Sequence, residues 1–354
     1  MTSAYACARP ILAGFLAGLL STAIPSAVQA QVAPEMKPME CDAILTVNDL
    51  AGISAPKAKE RYNIVVSVPS LANPYIMALV YGAYRAAEDA GVDVRVSSGS
   101  GMMNSAAQIR QLENALSRKT DALLINPADP AGLATIIDET VDGGTPVFDV
   151  GTLSSSAKSR KIVQDDFAVG QFAVQTLAKY LPNGGQGIVL GGPANAVWAQ
   201  RRVAGFQEEI KKHPNMALNA VAHSDSTPTE GLQKFQNAAQ AHPQVDWIYT
   251  VFSLLLPPTA IPPEHQNAVY VGSSYDAIMV DAVKNGRAAA ALADFPIAVG
   301  YVGVAQAVQV LNGDDTVVRG TCIPAGAVSK ENVADPVWER FNTVPDGWTI
   351  PTSQ

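Results

Sequence analysis

The chain has 354 residues and a formal charge of −8; 48% of its residues are hydrophobic but only 6% are aromatic. That length accommodates two domains at the usual ~100–200 residues each, and the apolar composition suits an Ala/Val-rich α/β protein. The acidic balance, with scattered Lys and Arg, argues against nucleic acid or an anionic membrane surface as partner.

Residues 1–30 carry a lone Arg9, the apolar run "ILAGFLAGLLSTAI", then "PSAVQA". This reads as a secretory signal peptide cut after Ala30, with Val28 and Ala30 at the −3 and −1 positions. The competing reading is a membrane anchor, for which the apolar run is short against ~20 residues. Cys7 precedes the apolar run, so it is misplaced for a lipid-attachment box. Export to the periplasm is therefore expected. Two cysteines remain after cleavage, Cys41 and Cys322. In an oxidising compartment they pair as a disulfide or stand as two thiols; both readings are open.

Residues 31–60 are aperiodic, contain Pro and Lys, and read as an N-terminal extension with little order. From Arg61 an alternation begins. "YNIVVSV" reads as a strand and 74–90 as a helix, with Gly91 placed to stop it. "VDVRVSS" and helical 104–118 follow, then "DALLINP" and helical 131–142, then "TPVFDV" and a Ser-rich loop. The pattern recurs: "RKIVQD" with 167–180, "QGIVLGG" with 196–212, "LNAVAH" with 228–241. "VDWIYTV" runs into a Pro-rich piece over 253–266; "NAVYVGS" precedes helical 276–285, and "RAAAALADFP" precedes helical 297–312. Short Val/Ile runs alternating with amphipathic stretches indicate right-handed βαβ units. The expected fold is α/β: two doubly wound parallel-sheet lobes. One comprises 61–164 plus 295–323, the other 165–294 plus 324–354, with crossings near Asp165 and Asp294.

Catalytic signals are weak. "GSGMMN" (Gly99–Asn104) lacks the third glycine of a dinucleotide loop and has no acidic strand end ~20 residues on. The four histidines, His213, His223, His242 and His265, lack metal-ligand spacing; His213 and His242 each precede Pro after a helix and read as C-terminal caps. No nucleophile–base constellation is visible. The chain reads as a non-enzyme without cofactor or metal.

Polar and aromatic residues do recur at strand ends. They are Asn73 and Tyr75, Asn126, Asp149, Gln164 with Asp165, Ser273, Ser274 and Tyr275, and Asp294. Each alone is most simply a cap or turn residue. Together they mark the carboxyl edges of parallel strands, where open α/β sheets hold ligands. Trp198 and Tyr75 are the candidate aromatic faces.

"NIVVSVPSLANPYIMALVYGAYRAAEDAGVDV", "QIRQLENALSRKTDALLINPADPAGL", "GFQEEIKKHPNM" and "VKNGRAAAALADFPIAVGYVGVAQAVQVLNGD" carry a resemblance. With "IPAGAVSKENV" they resemble type I periplasmic solute-binding proteins of the ribose-binding group, in the family's order from Tyr62 to Val333. The resemblance implies a two-lobed monomer that closes on a small-molecule ligand about a hinge and performs no covalent chemistry. It implies a membrane partner, an ABC permease or a sensor kinase. It assigns ligand contacts to Asn73, Tyr75 and Asn126 from the first lobe and to Arg202 from the second, so that loss of Arg202 should harm binding far more than folding. "PSLANPYIMALVYGAYRAAEDAGVDVRV", "GPANAVWAQRRVAGF", "HPQVDWIYT" and "ALADFPIAVGYVGVAQAVQVLNGD" are also similar to the TorT-type, sensor-associated branch.

The chain departs from the sugar-binding pattern at four places. The Asn-Asp pair after "VDWIYTV" is replaced by "FSLLLPPTAIPPEHQ". The Asp after "VYVG" is Ser274, the Asp after "TPVFDV" is Gly151, and the late Gln is Asp294. These departures point away from an ordinary pentose or hexose and toward a small polar or cationic metabolite.

Overall fold

The computed structural model describes residues 37–351, apart from Met103, Asp225 and Ser226; the expected signal over residues 1–30 lies outside the described residues. The chain starts with β1 (Ala43–Ile44) and α1 (Val47–Gly52). It continues through β2 (Asn63–Val68), α2 (Pro74–Ala90), β3 (Asp93–Ser98), α3 (Ser105–Leu116), β4 (Ala122–Ile125), α4 (Ala134–Asp142), β5 (Val147–Val150) and β6 (Arg160–Gln164). Next come α5 (Asp166–Tyr180), β7 (Gly185–Gly192), α6 (Val197–Glu209), β8 (Met216–His223), α7 (Pro228–Ala241), β9 (Trp247–Thr250), β10 (Val269–Ser273), α8 (Ala277–Lys284) and β11 (Ala290–Ala293). The last elements are α9 (Pro296–Leu311), β12 (Gly320–Ile323), β13 (Gly326–Val328) and α10 (Pro336–Asn342).

Two sheets result. The first has seven strands in the order β1-β12-β6-β5-β4-β2-β3, the second six in the order β13-β11-β10-β9-β7-β8. Every strand pair is parallel except β11 with β13. Helices cover both faces of such sheets, so central strands bury every side chain. β4, β5, β9 and β11 are buried throughout. The expected α/β, doubly wound, two-lobed fold is the observed one.

Local chemistry sets the element ends. Asn73 caps α2 by accepting from the Tyr75 and Ile76 amides, Pro74 opens the helix, and Gly91 ends it at φ 80°. His213 and His242 sit at C-caps, their amides donating to the Ile210 and Ala238 carbonyls. After β9 the prolines cannot continue a helix. The chain there forms three short 3₁₀ turns, Ser253–Leu255, Pro258–Ala260 and Pro263–His265, and buries Leu255, Leu256 and Ile261.

Each lobe contains one helix pair brought to backbone contact by glycines. In α2 and α9, a Cβ on Gly82 would lie 2.0 Å from the Ile297 carbonyl oxygen, and one on Gly300 would lie 1.9 Å from that of Leu79. In α5 and α6, Cβ atoms on Gly170 and Gly205 would each lie 1.9 Å from the carbonyl oxygens of Arg202 and Phe167.

The two ends of the chain differ from expectation. Residues 37–60 are ordered, not an aperiodic leader: β1 joins the first sheet beside β12, and Leu50 of α1 is fully buried. Thr46 and Asp49 form a reciprocal capping box at the start of α1. "TVND" carried that signal in the sequence. At the other end, β13 pairs with β11 of the second lobe, but α10 packs on α9 and α1 of the first. Trp348 meets Tyr81 and Tyr84 of α2 edge-on, at centroid distances of 5.0 and 6.0 Å. Of the expected second-lobe stretch 324–354, the described part, 324–351, is therefore shared between lobes.

Cys41 and Cys322 form a disulfide with Cα atoms 5.8 Å apart and 281 residues apart in sequence. A bridge closing so long a loop restricts the unfolded chain strongly, worth ~2–4 kcal/mol. Cys41→Ser is expected to lower the melting temperature, and reductant should lower that of the wild type alone. Equal melting of both proteins, with and without reductant, would show that the bridge contributes nothing.

Candidate functional site

Besides the return of the chain from β13 to α10, three crossings join the lobes at one place: β6 to α5 at Asp165, β11 to α9 at Asp294 and Phe295, and β12 to β13 at Pro324 and Ala325. The Gln164 side chain touches all three. It ends β6, its amide nitrogen donates to the carbonyls of Ala293 (3.5 Å) and Pro324 (3.3 Å), and its amide oxygen accepts from Arg202 at 3.3 Å.

Arg202 lies on the second turn of α6 and is 6% exposed. Its Nε donates to Asp166 Oδ1 at 2.8 Å, Nη1 to the Val251 carbonyl at 3.0 Å, and Nη2 to Asp294 Oδ1 at 3.1 Å as well as to Gln164. Its guanidinium carbon sits 5.4 Å from the Trp198 ring centre. Burial pulls the Arg202 pKa down, but Asp294 and Asp166 outweigh it and the guanidinium is held more firmly protonated than usual. Burial pushes both carboxyls up; Arg202 opposes the rise at Asp166 and Asp294, while Asp294 adds to it at Asp166 and Asp276 adds to it at Asp294.

The first lobe meets this cluster through Tyr75. Burial raises its phenol pKa, and the charges of Asp294 and Asp166 raise it further. A Cβ on Gly151 would lie 3.1 Å from the Tyr75 hydroxyl and 3.0 Å from Asn126 Nδ2, so these three line one corner. Asn126 is 2% exposed, and its Nδ2 donates to the Val150 carbonyl at 2.7 Å and to Thr152 Oγ1 at 3.2 Å. Behind Arg202, Tyr249 stacks on Phe206 and shares a 3.0 Å hydrogen bond with Ser273; burial pushes its phenol up to about 12.

The remaining expected residues separate into groups. Asn73 spends its side-chain oxygen on the α2 cap. Asp149 is fully buried and bound to Lys161 Nζ (2.7 Å), the Ser154 amide (2.6 Å) and the Ser154 hydroxyl (2.8 Å). It organises the Ser-rich loop beneath the cleft, and no solvent-facing surface is left for a ligand. Ser274 bonds Ser253 and Asp276 at 2.8 and 2.9 Å. Tyr275 is raised by burial and then by Glu339 of α10, which places it on the side of the C-terminal helix. Trp198, 37% exposed, forms the outer rim.

Sequence reading missed Asp166 and Asp276. Asp165 caps α5 and pairs with Arg201 at 2.9 Å, while Asp166 turns to Arg202. The consecutive "DD" and "RR" were the available signal. Among the described residues two non-glycine residues have positive φ, Ser274 at 152° just after β10 and Phe295 at 49° at the β11–α9 crossing. Such conformations cost ~1–3 kcal/mol and cluster at functional sites. Phe295 is held by stacking on Trp338 (5.6 Å) and by its amide donating to Asn342 at 2.9 Å.

A groove of about 520 Å³ between α3 and α4, lined by Ile109, Glu113, Leu116 and Ile136 among others, includes none of these residues. It lies away from the crossings between the lobes. Among the described residues no group of three or more His, Cys, Asp or Glu is arranged to hold a metal ion, and no helix is long and apolar enough to cross a membrane.

Residues 64–315 match the family described as periplasmic binding protein domain. The ribose import binding protein RbsB of Salmonella typhimurium is 28% identical over 275 residues, covering 75% of this chain and 90% of that protein. The periplasmic protein TorT of Escherichia coli is 24% identical over 263 residues, covering 73% and 75%. An ABC transporter solute-binding protein from Bradyrhizobium, solved with bound Bis-Tris, superposes with a TM-score of 0.76 at 22% identity, covering 84% of this chain and 90% of that one. With these matches on a two-lobed, doubly wound fold, the chain belongs to the type I periplasmic binding proteins of the ribose-binding group.

Proposed function

We propose that this protein is an exported receptor that captures a small polar solute between its lobes and delivers it to an ABC transporter. One observation carries the reading. Arg202, on α6 of the second lobe, is bonded to Gln164, which in turn bonds all three crossings. A ligand that engages the Arg202 cluster therefore acts where the lobes pivot, and closure follows as a population shift. The relative named for ribose import supports the transport role. The binding residues are Tyr75, Asn126, Gln164, Asp166, Trp198, Arg202 and Asp294.

A second reading, a periplasmic sensor that signals to a membrane histidine kinase, is favoured by the match to TorT. Both readings share the cleft and differ in the docked partner.

The test uses protein recovered from the periplasm, with its mature N-terminus near Gln31 checked by sequencing. A panel of sugars, polyols, amino acids and amines is screened by thermal melting. Binding raises stability by RT ln(1 + [L]/Kd), about 2.7 kcal/mol at a hundredfold excess over Kd. A hit whose shift vanishes in a Tyr75→Ala variant supports the cleft. A panel without any shift defeats the reading.

A further inference from the structure

We propose that the cleft selects a small hydroxylated solute bearing one positive charge, a protonated or quaternary nitrogen, over its neutral counterpart. This rests on the solute-binding reading above and names the class of ligand.

The charge count at the crossings is unequal. Arg202 is shared by two carboxylates, Asp166 through Nε and Asp294 through Nη2. Both acids keep only 17% of their side-chain surface. Arg201 offsets only part of the difference: it is paired to Asp165 at 2.9 Å, and its charge is felt at Asp166. Asp276 adds negative charge from beyond β10, and its charge is felt at Asp294. Two ionised carboxylates on one guanidinium leave an excess negative charge in a nearly dry site, which is costly unless something positive joins it.

The hydrogen-bonding inventory points the same way. The Gln164 amide nitrogen is spent on backbone carbonyls, and Arg202 is spent on Asp166, Val251, Gln164 and Asp294. Each carboxylate gives Oδ1 to Arg202 and retains Oδ2 as an acceptor. The site thus offers a ligand acceptors and a negative field, with the Trp198 ring, which already faces Arg202, at its outer rim. That combination suits an ammonium group. A neutral sugar ring needs donors as well as acceptors, and the cluster has few to give.

As pH falls, a proton competes for the ligand's place in the free protein. Burial raises the pKa of both Asp166 and Asp294, with Arg202 opposing and Asp276 adding at Asp294. The groups facing this pair are Arg202, Arg201, Asp276, Tyr75 and Tyr249. A carboxyl raised above its unfolded value stabilises the fold fully below the unfolded pKa and loses that contribution as pH rises through the folded one. A cation displaces this proton, so its affinity should increase as pH rises through the same window.

Calorimetric titration with matched probes tests the class: D-glucosamine against D-glucose, and choline as a permanently charged probe. The amino sugar is expected to bind about tenfold or more tightly than glucose, a difference of ~1.4 kcal/mol, and Asp294→Asn should abolish the preference. Glucose binding as tightly as glucosamine, or a preference unchanged in Asp294→Asn, overturns the charge class and leaves the solute-binding reading standing. The melting of the ligand-free variant decides the charge count even where no probe binds. Asp294→Asn keeps an acceptor for Arg202 and is expected to raise the melting temperature at neutral pH. A lowered melting temperature means that Asp294 balances Arg202, and overturns the proposal.

Discussion

Arg202→Ala is expected to abolish ligand binding and, at the same time, to destabilise the protein by ~3–5 kcal/mol. Sequence reading placed Arg202 at the ligand and expected a specific loss of binding with little cost to the fold. The structure changes that expectation. The guanidinium is 6% exposed and bonds four partners, from β6, the start of α5, the end of β11 and the segment after β9. Removing it leaves Asp166 and Asp294 buried with no cation between them, the Gln164 amide oxygen without its donor, and the Val251 carbonyl unpaired. Arg202→Lys restores a charge but not the fork that spans two carboxylates, so it should recover part of the stability and little of the binding. Chemical denaturation and calorimetry, run on the same preparations, measure the two effects. A folded Arg202→Ala protein with wild-type stability would show that the cluster bears no structural weight.

Gly170→Ala is expected to reduce both stability and binding although residue 170 touches no ligand. Its Cβ would sit 1.9 Å from the Arg202 carbonyl oxygen and 2.8 Å from the Phe206 amide nitrogen. These are backbone atoms, so no rotamer change relieves the clash; α5 and α6 must separate. Overpacking of this kind costs ~1–3 kcal/mol. The backbone that moves is that of Arg202 itself, and a displacement on the order of 1 Å is enough to impair a positioned group strongly. Gly91→Ala is the control. It lies at the far end of α2 with φ 80° and open space around it, so strain lowers stability there by roughly 1 kcal/mol without moving the site. Gly170→Ala with a normal dissociation constant would show that the α5–α6 contact does not position Arg202.

Much of the architecture was legible because its causes are local. The bounds of α2 follow from Asn73-Pro74 at one end and Gly91 at the other, and the helix runs Pro74–Ala90 as those residues require. α7 likewise opens on Pro228 and closes at Ala241. The alternation of Val/Ile runs with amphipathic stretches specified two parallel sheets, since only a buried strand tolerates apolar residues on both faces. Where the local signal was a strand of two to four residues, as in β1, β12 and β13, no periodicity existed to read.

The site was legible only in part. Tyr75, Asn126, Gln164, Arg202 and Asp294 could be named because they end strands or match a family pattern, and the structure brings them together at the crossings. Asp149 shares the strand-end position but is turned to Lys161, and nothing in "PVFDV" distinguishes it from a cleft residue. Asp166 is not distinguished from Asp165 by the sequence, because which of two adjacent acids faces Arg202 depends on the rotation of α5 about its axis. The sequence by itself determined the fold class, the helix caps and the candidate rim, all products of short-range backbone preference and hydrophobic pattern. Only the tertiary structure decided the charge balance of the cleft, the Cys41–Cys322 bridge and the sharing of the C-terminal stretch between lobes. The reason is physical. Caps and strands arise within a few residues of one another, whereas Arg202 and Asp294 are brought within 3.1 Å only after two sheets have folded and three crossings have met.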